Sequence, residues 1–220
     1  MKNVKNAWYF QVDHRIKRLL SKSNVEVLSI REALERYDWL SSYVSKAKEG
    51  FFIWVKGEIN FPVSTCVSIA SAGISQDLFN VVLLNSGVKA KLYSICSSSF
   101  KGLRGLHKAK GFIILRKNAQ LDALSLHNWH DDKASVSYSF LLEDGARLFY
   151  KLKALNPGKK FVSKNKFILS NRASTKIEIS LRAISSLVKL HDEVYMNGKD
   201  SNSTLRIRVV AQGKSKVKGY

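Results

Sequence analysis

Two cysteines, five histidines and an excess of lysine and arginine are the residues of this 220-residue chain that could do chemistry. Cys66 and Cys96 show no C-x-x-C spacing, so neither a disulfide framework nor a structural zinc site is expected. Their plain reading is a pair of reduced, buried thiols. A reactive thiol needs nearby cations to favour its thiolate. Lys101, Arg104, His107 and Lys108 follow Cys96 closely and could supply that field. His107, His127 and His130 could gather near Cys96 if the chain coils with a period matching their spacing, and a Cys/His cluster could bind iron. Histidines in strands are more often hydrogen-bonded structural groups, however, and Asp131-Asp132 reads as a solvated loop. His191-Asp192-Glu193 invites acid–base chemistry, but no nucleophile motif accompanies it and it is read as structural. The loop Ser97-Ser98-Ser99 with Gly102 and Gly105 lacks a GK[ST] pair, and there is no dinucleotide fingerprint or zinc-hydrolase motif. No autonomous enzyme is expected.

The elements that must position these residues are mostly strands. In the first fifty residues Val25–Ile30 alternates like a short strand, and Ser29 with Glu32 three residues later has capping-box spacing. An apolar stripe through Ile30, Ala33, Leu34, Tyr37, Leu40, Tyr43, Val44 and Ala47 predicts a helix from about Ile30 to Lys48, packed on the body of the domain and stopped by Gly50. Beyond Gly50, β-rich runs alternate with turn signals at Ser86-Gly87, Lys117-Asn118, Asp144-Gly145, Asn171-Arg172 and Lys199-Asp200-Ser201. After each turn comes a small residue and then an alternating strand. Taking Val88, Ala119, Ala146, Ala173 and Ser203 as equivalent gives a repeat of roughly 27 to 31 residues, the range of solenoids. Each coil cannot bury its apolar face alone, whereas stacked coils share one core. A β-sandwich of regular short strands is the competing architecture. The expected fold is therefore mainly β, a right-handed parallel β-helix over residues 51–220, with a short N-terminal α/β segment over 1–50.

Composition bounds the rest. A 45% hydrophobic and 25% charged chain with two prolines is ordinary for one folded domain. No apolar run approaches the ~20 residues of a membrane-spanning helix, and Met1–Asn6 is not followed by a hydrophobic signal region. A cytoplasmic protein without membrane contact is expected. The net charge of +20 points to an anionic partner or a solvated exterior. Alternation such as Arg206-Ile207-Arg208-Val209 places cations outside and aliphatics inside. Lys101, Arg104, Lys108, Arg206 and Arg208 are candidates for a basic surface. Nucleic acid is the second choice of partner, with Trp129 and Tyr138 as exposed bases-stacking aromatics.

From about Phe79 to Tyr220 the chain resembles the SufB/SufD family of iron–sulfur cluster assembly proteins. The resemblance rests on an ordered series. Asn80-Val81-Val82-Leu83-Leu84, the Gly87 turn and Lys89–Cys96 match a strand, glycine turn and strand ending in glycine-cysteine, with Ile95 in place of that glycine. Gly105-Leu106-His107, Gly111–Ala119, His127-Asn128-Trp129, Asp144–Leu148 and Asn171–Ser174 follow in order. Ala33–Tyr37, Gly50–Gly57 and Phe61-Pro62-Val63 are similar to the family's leading helix and first coil. The resemblance implies a β-helical scaffold that pairs with itself or with a SufB/SufD-type relative. It implies no intrinsic cofactor, a transient iron–sulfur cluster as cargo, and Cys96 as a persulfide-forming sulfur acceptor. Family members continue into further coils and a helical domain that carry a second important cysteine and the docking surface for an ABC-type ATPase (SufC-type). This sequence ends at Lys216-Val217-Lys218-Gly219-Tyr220, which places ATPase docking and cluster nucleation in doubt.

Overall fold

The computed structural model describes residues 6–44 and 47–220. Residues 1–5, where the sequence was read as lacking a signal, and 45–46, within the expected long helix, lie outside the described residues. The chain is 64% strand and 6% helix and forms a β-solenoid of about 6 turns. Odd-numbered strands make one sheet: β1 (Ala7–Val12), β5 (Val63–Ile69), β7 (Lys89–Ser98), β9 (Gln120–Asn128), β11 (Arg147–Asn156), β13 (Ser174–Ile184) and β15 (Asn202–Gln212). Even-numbered strands make the other: β4 (Phe51–Val55), β6 (Ser75–Leu84), β8 (Leu106–Leu115), β10 (Lys133–Leu142), β12 (Lys160–Leu169), β14 (Leu187–Met196) and β16 (Lys216–Gly219). Neighbours within these series are parallel, as coil upon coil requires. Two antiparallel strands, β2 (Arg15–Leu20) on β1 and β3 (Val25–Ser29) on β4, close the N-terminal end of both sheets.

The β-rich region after Gly50 is built of strands, and β6 to β15 run 9 to 11 residues each. Each predicted turn holds a left-handed residue: Gly87, Asn118, Gly145, Arg172 and Asp200. These turns stack on one another. The amide of Gly87 donates to Lys117, that of Asn118 to Asp144, that of Gly145 to Asn171 and that of Arg172 to Lys199. The small residue that follows fits because it points inward, and Ala119, Ala146 and Ala173 are fully buried. Inside the prism equivalent side chains pile up coil by coil. Phe140 and Phe167, directly opposed on β10 and β12, stack with ring centroids 4.5 Å apart.

The N-terminal helix is shorter than its stripe predicts. Helix α1 spans Ile30–Arg36, opened by the expected Ser29–Glu32 capping box, and a 3-10 turn follows at Asp38–Ser42. The break is at Tyr37, held in extended backbone. Its hydroxyl donates to Glu26 and its ring packs on Phe52 and Trp54. This tertiary contact outweighs the local helical preference. The stripe does cover the body, with Ile30, Ala33, Leu40 and Val44 in one apolar cluster with Phe52 and Val81. β1 and β3 share sheets with the later coils, so the N-terminal segment is continuous with the solenoid.

Candidate functional site

Side-chain parity along β7 decides the environment of the cysteines. Leu92, Ser94 and Cys96 point into the prism, while Tyr93 and Ile95 face out. Cys66 on β5 lies opposite Ile95, on the outer face. Cys96 lies opposite His127 on β9, so the coil period brings these two together as the spacing suggested. Both line a largely enclosed cavity of about 40 Å³ with His107, Asn80, Ser125 and Tyr138. Such a volume holds only a few water-sized groups.

The histidines in this lumen are part of a buried polar chain. Gln76 donates through Nε2 to the carbonyls of Asp13 and Ser68, leaving its Oε1 to accept from His107 Nδ1 at 2.8 Å. The proton of His107 is thereby fixed on Nδ1. Its Nε2 is a buried lone pair with no partner among the described residues. The His107 ring stacks on Trp129 at 4.5 Å. Trp129 Nε1 can only donate, and it does so to His127 Nδ1 at 3.2 Å. His127 Nε2 therefore carries the proton and donates to Ser125 Oγ at 3.0 Å. Burial pushes His107 down to about 3, helped by His127 beside it, and pushes His127 down to about 4. Both imidazoles are neutral at physiological pH. Asn80 ties the opposite wall by donating to Tyr138 Oη and accepting from the Phe51 amide.

The thiol of Cys96 is pushed up to about 12, chiefly by burial. Lys101 and Arg104 are exposed in the loop between β7 and β8, and Lys108 projects from the outer face of β8. The cations that follow Cys96 in sequence are thus outside while the thiol is inside. His130 occupies the left-handed turn after β9 and does not line the cavity. Of the expected cluster, Cys96 and His107 bring a free sulfur and a free ring nitrogen into the lumen. Among the described residues no group of three or more His, Cys, Asp or Glu is placed to hold a metal ion. An iron–sulfur cluster takes about four protein ligands, so these residues alone do not fit one.

Other expectations are redistributed. Trp129 is fully buried and Tyr138 points inward, so neither is an exposed stacking platform. Asp131 and Asp132 are anchors rather than a solvated pair, accepting from the amides of Gly102 and Gly105 at 2.7 Å each, and Asp132 is buried. They hold the β7–β8 loop one coil away. The triplet on β14 is split by strand parity. His191 bonds Glu193 on the outer face, while Asp192 points in and accepts from Asn165 at 2.7 Å. Arg206 and Arg208 are exposed on β15, in the sheet opposite Lys108, so the five candidate basic residues form no single patch. Sequence reading missed Lys110, Lys133, Lys160, Lys164 and Lys166. The K-x-K pairs Lys108-Ala109-Lys110 and Lys164-Asn165-Lys166 were the available signal.

No family model matches the chain. A protein of Archaeoglobus fulgidus named iron-sulfur cluster assembly SufBD family protein is 23% identical, covering 96% of this chain and 63% of its own length. A protein of the same name from Methanothermobacter thermautotrophicus is 20% identical, covering 95% of this chain and 57% of its own length. The chain is similar to these SufBD-named proteins. The likeness read from ordered motifs extends along 95% or more of the chain, which spans about three-fifths of the length of the curated relatives it matches. Among the described residues no helix is long and apolar enough to cross a membrane.

Proposed function

We propose that the chain serves iron–sulfur cluster assembly in the cytoplasm as a non-catalytic scaffold component without a cofactor of its own. The observation that carries this reading is the similarity to SufBD-named proteins over 95% or more of the chain. The cluster is cargo, held with ligands that a paired solenoid contributes. Pairing is favoured by exposed apolar side chains on β15. Leu205 and Ile207 lie beside buried Ile177 and Ile179, yet are 43% and 42% exposed. Exposed apolar side chains that point to the core side of a sheet favour a covering surface. A SufC-type ATPase belongs to the proposal as the partner of the assembled pair.

Cys96 is the candidate sulfur acceptor. Its thiolate would attack the terminal sulfur of a protein persulfide, forming Cys96–S–SH and releasing the donor as a thiolate. Because burial opposes deprotonation, transfer requires the lumen to open.

The test uses the tagged chain and a native lysate, with captured proteins identified by mass spectrometry. Capture of a SufBD-type relative or of its ATPase supports the scaffold reading; capture of neither, from a chain that stays monomeric, overturns it. Sulfur acceptance is read separately. Incubation with a persulfide donor should add one sulfur atom at Cys96 but not Cys66, and no gain at Cys96 removes that role. Simple alkylation should run the other way at neutral pH. Cys66, facing out, is expected to label faster than Cys96, the reverse of what the run of cations after Cys96 implies.

A further inference from the structure

The outer face of the even-numbered sheet is charged differently from its counterpart. On the odd-numbered sheet lysines meet acids: Lys151 and Lys176 bracket Glu178 at 3.1 and 3.2 Å. On the even-numbered sheet Lys108 and Lys110 of β8, Lys133 of β10, and Lys160, Lys164 and Lys166 of β12 are all exposed. Among the described residues one of these lysines forms an ion pair, Lys110 with Asp77 at 4.0 Å; Asp77 also lies across from Lys108, and Glu193 lies across from Lys166. The one acid between β10 and β14 on this face, Glu193, is engaged by His191 and Tyr195.

The register makes this an ordered array. Strands lie about 4.8 Å apart and alternate residues about 6.6 Å apart along a strand. Lys110, Ser137, Lys164 and His191 form one row across four strands. Phe112, Ser139, Lys166 and Glu193 form the next. Short serines on β10 thus run between two banks of lysine, and a depression of about 370 Å³ lies on the β12–β14 side of that row, lined by Ser137, Ser139, Lys164, Lys166, His191 and Glu193. Lys133 and Lys160 are directly opposed. Like charges on neighbouring strands repel, at a cost to stability, which an anion lying along the serine row would remove. An exposed aromatic stands at its edge: Tyr195, with Lys166 Nζ 4.4 Å from its ring centre.

We infer that this face binds single-stranded nucleic acid, its phosphates on the Lys108–Lys110 and Lys164–Lys166 banks and a base on Tyr195. A cation-lined groove with an adjoining aromatic is the arrangement that tracks such strands without reading their sequence. Serine hydroxyls can donate to phosphate oxygens from between the banks. The inference stands on this face alone and does not depend on the cluster-assembly reading.

Fluorescence anisotropy of the full chain with a labelled 20-nucleotide oligouridine tests it. Binding that tracks about five phosphates should weaken on the order of 100-fold between 50 and 200 mM salt. Lys164→Glu with Lys166→Glu should weaken binding at least about tenfold, whereas Lys89→Glu with Lys91→Glu, on the opposite sheet, should change it less than about twofold. Circular dichroism checks that both variants fold. Three results overturn the inference: no binding at 50 mM salt, equal losses in the two variants, or tighter binding of a 20-residue polyglutamate, which would assign the face to an acidic protein.

Discussion

Burial, rather than a charged neighbour, sets the protonation of His107 and His127 in the lumen. An unfolded histidine titrates near 6.5, whereas these titrate near 3 and 4 in the fold. Between those values the unfolded chain binds more protons than the native one, so stability falls as pH falls. The contribution is fully present above about pH 6.5. Between pH 7.5 and 5, with most carboxylates still ionised, the two histidines together should remove roughly 2–4 kcal/mol as an upper bound. Urea unfolding at the two pH values measures this. Replacing both by glutamine should flatten the dependence, and an unchanged slope would show that the loss comes from elsewhere. The Cys96–His127 proximity was legible, because residues about one repeat apart must stack. That the lysines near Cys96 leave its thiol alone was not. It follows from strand parity and from a loop that swings outward, pinned by Asp131 and Asp132.

Turns and strands are the scale at which the chain declares itself. Each turn needs a left-handed residue that can stack beneath the next coil. Glycine and asparagine fill that position at Gly87, Asn118 and Gly145, but Arg172 holds φ 55° against its preference. Arg172→Gly should stabilise by ~0.5–1 kcal/mol, raising Tm by about 1–4 °C. Gly145→Ala should do the opposite, because φ is 69° and the new methyl group would run into Asn118 Oδ1. Thermal melts of the pair decide this; equal shifts of the same sign would contradict the role given to turn geometry. Strand beginnings are hard to read where outer lysines dilute the apolar pattern, as at Lys160–Lys166. The β1–β2 hairpin was missed since β2, Arg15–Leu20, is mostly exposed and cationic. The helix was overread because Tyr37 extends the stripe while its packing on Phe52 and Trp54 breaks the backbone.

At the scale of the whole molecule, β2 and β3 lie beside β1 and β4 with α1 laid across one face, and Leu205 and Ile207 on β15 are exposed. We expect the chain to self-associate at micromolar concentration through β15, measured by light scattering, and Leu205→Glu with Ile207→Lys to abolish it. A monomeric wild type would remove self-pairing and leave pairing with a relative as the scaffold's route.

The repeat of turn, small residue and alternating strand was enough to determine the solenoid, because stacking forces each coil to present the same chemistry at the same point. The ordered motifs along that repeat carried the family likeness. Only the tertiary structure decided which way each side chain faces and what lies one coil away. Those two facts put Cys96, His107 and His127 in a buried lumen and gathered lysines distant in sequence onto one face, since parity and register are properties of the assembled sheets.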